Sequence, residues 1–305
     1  MMPKRKALLY IWVALGLSLL LVGAGYPAVY FEMRDPAGDE YGYGSYQYPT
    51  NIAFKPYKGL FDITGFKVWS EKPGIIYFDT VFAANTNPWA APEGFIHQNL
   101  RIFIDSRPGE GFINLPQRGA NVRFDPKYGW DIGLKVVGWE NSQLLLVKGN
   151  QIKMWPLKTG VLGDGRTIRA QVTATRIGYP EKRWNYYVFV GSYDGFGSDF
   201  FRKVMQQQGE WIIGGGLDAS IEPNVMDLLA PPGGPGNQIK QLSSFNRESG
   251  EWARLEPVGG GVATVNWLTW SGWVALILLA LAGILIVWVK PRKISYFWIR
   301  RSQTP

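Results

Sequence analysis

A single, mainly β domain, an antiparallel sandwich of jelly-roll-like character flanked by a hydrophobic segment at each end, is the fold this sequence predicts. Three observations predict it. Short apolar runs, several of them alternating with polar residues, are separated by Gly- and Pro-containing turns through most of the chain. Aromatic residues make up 15%, with 14 Trp and 15 Tyr, and pleated surfaces accommodate such side chains well. Two long uncharged runs lie outside that pattern, one near each terminus.

The first run, residues 7–23, follows Lys4-Arg5-Lys6 and reads as a signal peptide or a signal anchor within segment 1–25. The small residues Val22-Gly23-Ala24 would suit a signal peptidase. The second, residues 267–289, carries no charge and at 1.5 Å rise would reach ~34 Å, enough for a ~30 Å hydrocarbon core. Trp267, Trp270 and Trp273 mark one edge and Trp288 the other, and Lys290-Pro291-Arg292-Lys293 follows as a stop. These features divide the chain into the first segment, a β domain at 26–257, a Gly-rich linker at 258–265, a transmembrane helix at 266–289 and a basic tail at 290–305. The positive-inside rule places the tail in the cytoplasm, and the N-terminus with it if uncleaved, so the expected location is the cell membrane with the bulk extracytoplasmic.

Within the middle, residues 66–70 alternate, residues 71–74 supply a turn, and 75–82 form the next strand. Further strands are expected at 100–105, 134–137, 143–147, 151–155, 167–174 and 184–191. A turn at 138–142 lies between two of them. Residues 199–208 suggest a turn or two of helix, residues 230–237 a Pro/Gly loop, and no internal repeat is visible. Gly214-Gly215-Gly216 lacks the context of a phosphate loop and suits a close approach of two backbones.

The formal charge of +8 is a property of the flanks. Eight of the 32 basic residues lie in segments 1–25 and 290–305, which contain no acid, leaving 24 basic against 24 acidic groups between them. A nucleic-acid partner needs a basic face, and the balance offers none. With no cysteine, disulfides, thiolate metal sites and Cys nucleophiles are excluded.

Seven segments in order resemble the C-terminal domain of glucodextranase and its relatives. They are Asp35-Pro36-Ala37-Gly38-Asp39-Glu40-Tyr41-Gly42; Phe61-Asp62-Ile63-Thr64-Gly65-Phe66; Asn87-Pro88-Trp89 with Gly94-Phe95; and Gly119-Ala120-Asn121-Val122. Then come Val190-Gly191-Ser192-Tyr193-Asp194-Gly195-Phe196-Gly197; Trp211 with Gly214-Gly215-Gly216; and Pro223-Asn224-Val225-Met226-Asp227-Leu228-Leu229. The resemblance covers about residues 33–255. It implies a sandwich related to carbohydrate-binding and DOMON-like modules, and a role in binding glycans or in cell-surface association. The catalytic barrel that accompanies this module in the enzyme has no counterpart in the sequence.

Two sets of residues could bind something. Trp89, Trp130, Trp139 and Trp184 could offer flat faces to sugar rings, the ordinary alternative being that they pack inside. Asp35, Asp39 and Glu40, with Asp62 or Asp105 completing the set, suit a structural Ca²⁺, the alternative being hydrogen-bonded turns. No catalytic set emerges. Asp125, Asp131 and Asp194 do not read as a glycosidase pair, and His97, the one histidine, has no nucleophile elbow near it. A haem-b subunit would need His97 with Met154, Met205 or Met226, which core packing explains as well. The expected function is a non-catalytic, membrane-anchored module binding α-glucan or another envelope glycan. The alternative is an accessory subunit that packs on a protein partner in a membrane complex.

Overall fold

The computed structural model describes residues 27–260. All described residues belong to one compact unit. Both apolar runs, 7–23 and 267–289, lie outside the described residues. Among the residues described, no helix is long and apolar enough to cross a membrane.

The described part is mainly β. Its strands are β1 (Ala28–Arg34), β2 (Ile63–Ser70), β3 (Ile75–Phe82), β4 (Gln98–Asp105), β5 (Val122–Phe124), β6 (Ile132–Val136) and β7 (Gln143–Lys148). They continue with β8 (Gln151–Pro156), β9 (Lys158–Val161), β10 (Thr167–Thr173), β11 (Asn185–Ser192), β12 (Asp227–Leu228), β13 (Ala253–Leu255) and β14 (Val258–Gly259). One antiparallel sheet runs β1-β2-β3-β10-β9 and a second runs β12-β11-β4-β6-β7-β8. The β2–β3 turn has Gly74 at φ 91, where a side chain would be strained. Residues 151–161 leave one sheet as β8 and enter the other as β9, turning the corner at buried Leu157.

Alternation decides what each sheet buries. In β2 and β3, Ile63, Phe66, Val68, Ile76, Phe78 and Phe82 face the second sheet, where Leu100, Ile102 and Ile104 of β4 and Tyr186, Val188 and Val190 of β11 meet them. The other face of β4 and β11 is buried too. Phe103, Tyr187 and Phe189 pack there against Phe124, Trp130, Leu145, Leu228 and Leu255 in a second core. Its cover includes the parallel pair β5–β13 and the short helix Gln238–Leu242. The sandwich is therefore thickened by a third layer that period-two patterning did not foretell.

Three expectations need correcting. Residues 199–208 are not helical beyond the 3₁₀ turn Ser198–Phe200. The linker expected from 258 begins as β14, because Val258 and Gly259 pair with Tyr186 and Asn185 of β11. Trp130 and Trp184 are core residues, 0% and 4% exposed. The Trp130 indole donates to the Asn114 carbonyl at 2.9 Å, and its ring stands 4.8 Å from that of Phe103. Gly214-Gly215-Gly216 is the close approach expected: Gly214 bridges to Gln47, and a Cβ on Gly215 would collide with the Ser45 carbonyl.

Trp130→Ala empties the centre of the second core and should cost about 3–5 kcal/mol. Denaturant unfolding of the variant beside wild type measures this.

Candidate functional site

The antiparallel register brings the start of β4, the end of β6 and the end of β11 to one end of the second sheet. Gln98 pairs with Ser192, and Leu100 with Val136. The loops leaving those three strand ends, with segment 52–54 and the chain around 211, enclose an open cleft of about 670 Å³. It is lined by Phe54, Trp89, Ile96, His97, Trp139, Tyr193, Asp194, Gly195, Phe196, Arg202 and Trp211.

Each aromatic is held by local chemistry. Trp89 lies in a turn that Asn87 closes, its side chain donating to the Ala91 carbonyl at 2.9 Å and accepting from the Ala91 N–H at 2.8 Å. Trp139 and Glu140 have φ of 60° and 57°, conformations that L-residues avoid. The Glu93 carboxylate accepts both of their N–H groups, at 3.0 and 2.5 Å, and so fixes this turn. Trp211 stands 5.9 Å from Trp89 with ring planes 33° apart, and 5.8 Å from Phe54. Phe196, between Gly195 and Gly197, projects fully into solvent. Trp89, Trp139 and Trp211 remain 40–46% exposed, unlike the two core tryptophans.

The polar groups tie the loops together. Arg202 donates to Ser192 Oγ at 3.3 Å, to the Trp211 carbonyl at 2.6 Å and to the Tyr193 carbonyl at 3.0 Å. Burial lowers its pKa, and the nearby Asp194 charge works against that. Beneath the next turn, Asp199 and Phe200 have φ of 47° and 61°. The Asp199 carboxylate pairs with Arg101 at 2.8 Å and Lys135 at 3.3 Å, all three side chains being at least nine-tenths buried. Its carbonyl accepts from Asn99 at 3.1 Å and Arg101 at 2.8 Å. A Cβ on Gly191 would collide with the Asn224 carbonyl, so β11 can end here only with glycine as the chain crosses.

His97 is 3% exposed, with rings of Phe54 at 4.5 Å and Trp89 at 5.7 Å. Burial holds its pKa down at about 4; the Ala53 backbone opposes this and the Arg202 charge assists it. It is a neutral packing group under the cleft.

A second cluster lies apart from the cleft. Asp35, Asp39 and Asp227 bring carboxylate oxygens within 4.8 Å of one another, and Asp62 bonds the loop between the first two through the Gly38 N–H at 2.8 Å. Two residues expected in this set are elsewhere. Glu40 is buried and accepts from the Gly59 and Phe61 N–H groups and the Tyr48 hydroxyl, so its oxygens already hold the chain before β2. Asp105 accepts from Asn185 Nδ2 at 3.1 Å, whereas Asp227 pairs with Val190. Those β11 positions are five residues, about 17 Å, apart.

Residues 30–257 match the family described as the C-terminal binding-module, SLH-like, of glucodextranase. The chain belongs to this family. No curated protein matches it. The matched span takes in both sheets, the aromatic cleft and the acidic cluster.

Of the four tryptophans singled out in the sequence, the structure brings Trp89 and Trp139 into the cleft. Trp211 was visible only within a family motif, and Phe54, Tyr193 and Arg202 gave no signal of their own. Phe196 could have been suspected, because an aromatic between two glycines has little to pack on. Asp227 had a signal as well: a single carboxylate inside Val225-Met226-Asp227-Leu228-Leu229 must find a partner.

Two outcomes are expected. Asp199→Asn leaves Arg101 and Lys135 buried without their carboxylate and should cost about 3–5 kcal/mol, read from chemical denaturation. For His97, the unfolded chain binds a proton near pH 6.5 and the folded chain only near 4. Its contribution is therefore intact above about pH 6.5 and declines by roughly 3 kcal/mol as the pH falls to about 4. In His97→Gln the loss of stability over that interval should be correspondingly smaller, as measured by Tm against pH.

Proposed function

We propose that this domain is a non-catalytic module that binds glycan chains across the cleft of Trp89, Trp139, Trp211 and Phe196. The observation that carries the reading is three half-exposed tryptophans on separate loops around one concavity. A monomer gains nothing by holding them out of its core, whereas sugar rings stack on such faces. Asp194, Arg202 and Tyr193 supply polar groups along the same cleft for hydroxyls. Membership of a binding-module family supports the same conclusion. The concave form favours a chain-like ligand over the flat apolar face a protein partner would use. α-Glucans are the first ligands to test, with other envelope polysaccharides beside them.

The runs at 7–23 and 267–289 would tether the domain at the outer face of the cell membrane. Gly259, near the last described residue, pairs with Asn185 at the start of β11, whereas the cleft lies beyond Ser192 at its end. The two ends are about 24 Å apart along the strand. Tethering would raise the local concentration of sites, so modest affinity would suffice.

Calorimetric titration of the purified protein with a panel of α-glucans and envelope polysaccharides tests the reading. Saturable binding is expected, weakened roughly tenfold or more, ~1.4 kcal/mol, by Trp89→Ala or Trp211→Ala. Trp184→Phe, a core change, should leave affinity unaltered. Equal affinity of folded Trp89→Ala, Trp211→Ala and wild type would remove the cleft from consideration.

A further inference from the structure

The acidic cluster at the end of β1 has no role in the cleft. Its members come from three distant stretches: Asp35 and Asp39 from the loop after β1, Asp62 from the residue before β2, and Asp227 from β12. Several of their oxygens are already used. Asp35 Oδ1 accepts the Ala230 N–H at 2.9 Å, Asp62 Oδ2 accepts that of Gly38 at 2.8 Å, and Asp227 accepts those of Ile63 at 2.6 Å and Leu228 at 2.7 Å.

What remains is unusual. Asp35 Oδ2, Asp39 Oδ1 and Asp62 Oδ1 are buried with no hydrogen-bond partner, although Asp35 and Asp62 are only 8% and 4% exposed. Among the described residues no Lys or Arg forms an ion pair with any of the four. Buried carboxylates without a counter-charge are costly, and a fold retains them only where something neutralises them.

We propose that Asp35, Asp39 and Asp227, with Asp62 beside them, bind one Ca²⁺ ion that clamps the end of β1 to β12. The donors are all hard carboxylate oxygens, the type that suits calcium, whereas zinc and copper sites draw on imidazole or thiolate. A spread of up to 4.8 Å between them matches oxygens placed around a central ion at 2.3–2.6 Å. Magnesium would demand a tighter octahedron and retain most of its water. The ion would join residues 35 and 227, which the chain alone connects only through most of the domain. This assignment is independent of the glycan reading.

The full chain, purified and stripped with EGTA, is titrated with CaCl₂ by calorimetry, and its Tm is read in EGTA, CaCl₂ and MgCl₂. One Ca²⁺ per chain is expected, with Tm raised by ~5–10 °C at calcium a hundredfold above its Kd and little response to Mg²⁺. Asp39→Asn makes the cleanest variant, since that side chain holds no other segment, and should weaken calcium binding at least tenfold. Asp105→Asn, at the other end of β11, should leave calcium binding intact. The proposal fails if the stripped, folded wild type shows neither heat nor a Tm change with calcium. It fails equally if Asp39→Asn and Asp35→Asn both bind calcium as wild type does.

Discussion

Every residue of β4 and of β11 is buried, and the remainder of the domain is arranged around that constraint. An antiparallel sheet commonly gives one face to water. Here the central pair gives neither, so the chain must supply cover on both sides. The first sheet covers one face with Phe66, Val68, Phe78 and their neighbours. The other face is covered by β5, β13, the helix Gln238–Leu242 and the segments leading to them. Those covering segments leave and rejoin the sheet at its ends, and at one end they enclose the aromatic cleft.

The second covered face also explains the buried charges. Arg101 alternates with Leu100 and Ile102 and so points away from the main core, into a layer that is itself dry. Asp199 meets it there together with Lys135. A buried ion pair contributes little net stability compared with apolar residues, but it restricts geometry, because any displacement strands a charge. The pair fixes a turn at φ 47° and 61° directly after the loop that carries Tyr193 and Phe196. Glu93 acts likewise on the Trp139 turn, by two backbone hydrogen bonds across 46 and 47 residues. Polar contacts on one side of the aromatics thus hold their other faces open to solvent.

Much of the sheet framework was legible because alternation survives wherever one face is apolar. β3 matches its expected bounds, and β7, β8 and β11 do so within a residue. β1, β5, β9, β12, β13 and β14 were missed; all but β1 are four residues or fewer and owe their extended form to neighbours. The second core was invisible for a specific reason. Arg101 and Asp105 look like solvent positions in an alternating strand, and only partners such as Asp199 and Asn185 reveal that they are not. The tryptophans show the same limit. Trp130 and Trp139 lie nine residues apart in similar Gly-containing turns, yet one fills a core and the other lines a cleft. What separates them is the Glu93 carboxylate and the cover from β5, both supplied by distant parts of the chain.

The two ends of β11 divide the domain's tasks. At the Asn185 end the strand pairs with β14, close to the last described residue, and Asp105 bonds Asn185. At the Ser192 end, β12 takes over the same edge, Asp227 opposite Val190, and the chain turns directly into the cleft. The acidic cluster therefore grips the edge of the sheet only a few residues before the loop of Tyr193 to Phe196 begins. Local opening of a sheet edge is opposed by whatever holds its last short strand, and β12 has only two residues of its own. A strand that short needs an external tie. The hydrogen bonds from Ile63, Leu228 and Ala230 to Asp227 and Asp35 supply part of it, and among the described residues no Lys or Arg pairs with those carboxylates. The cluster and the cleft are thus near neighbours along one strand, although they share no residue.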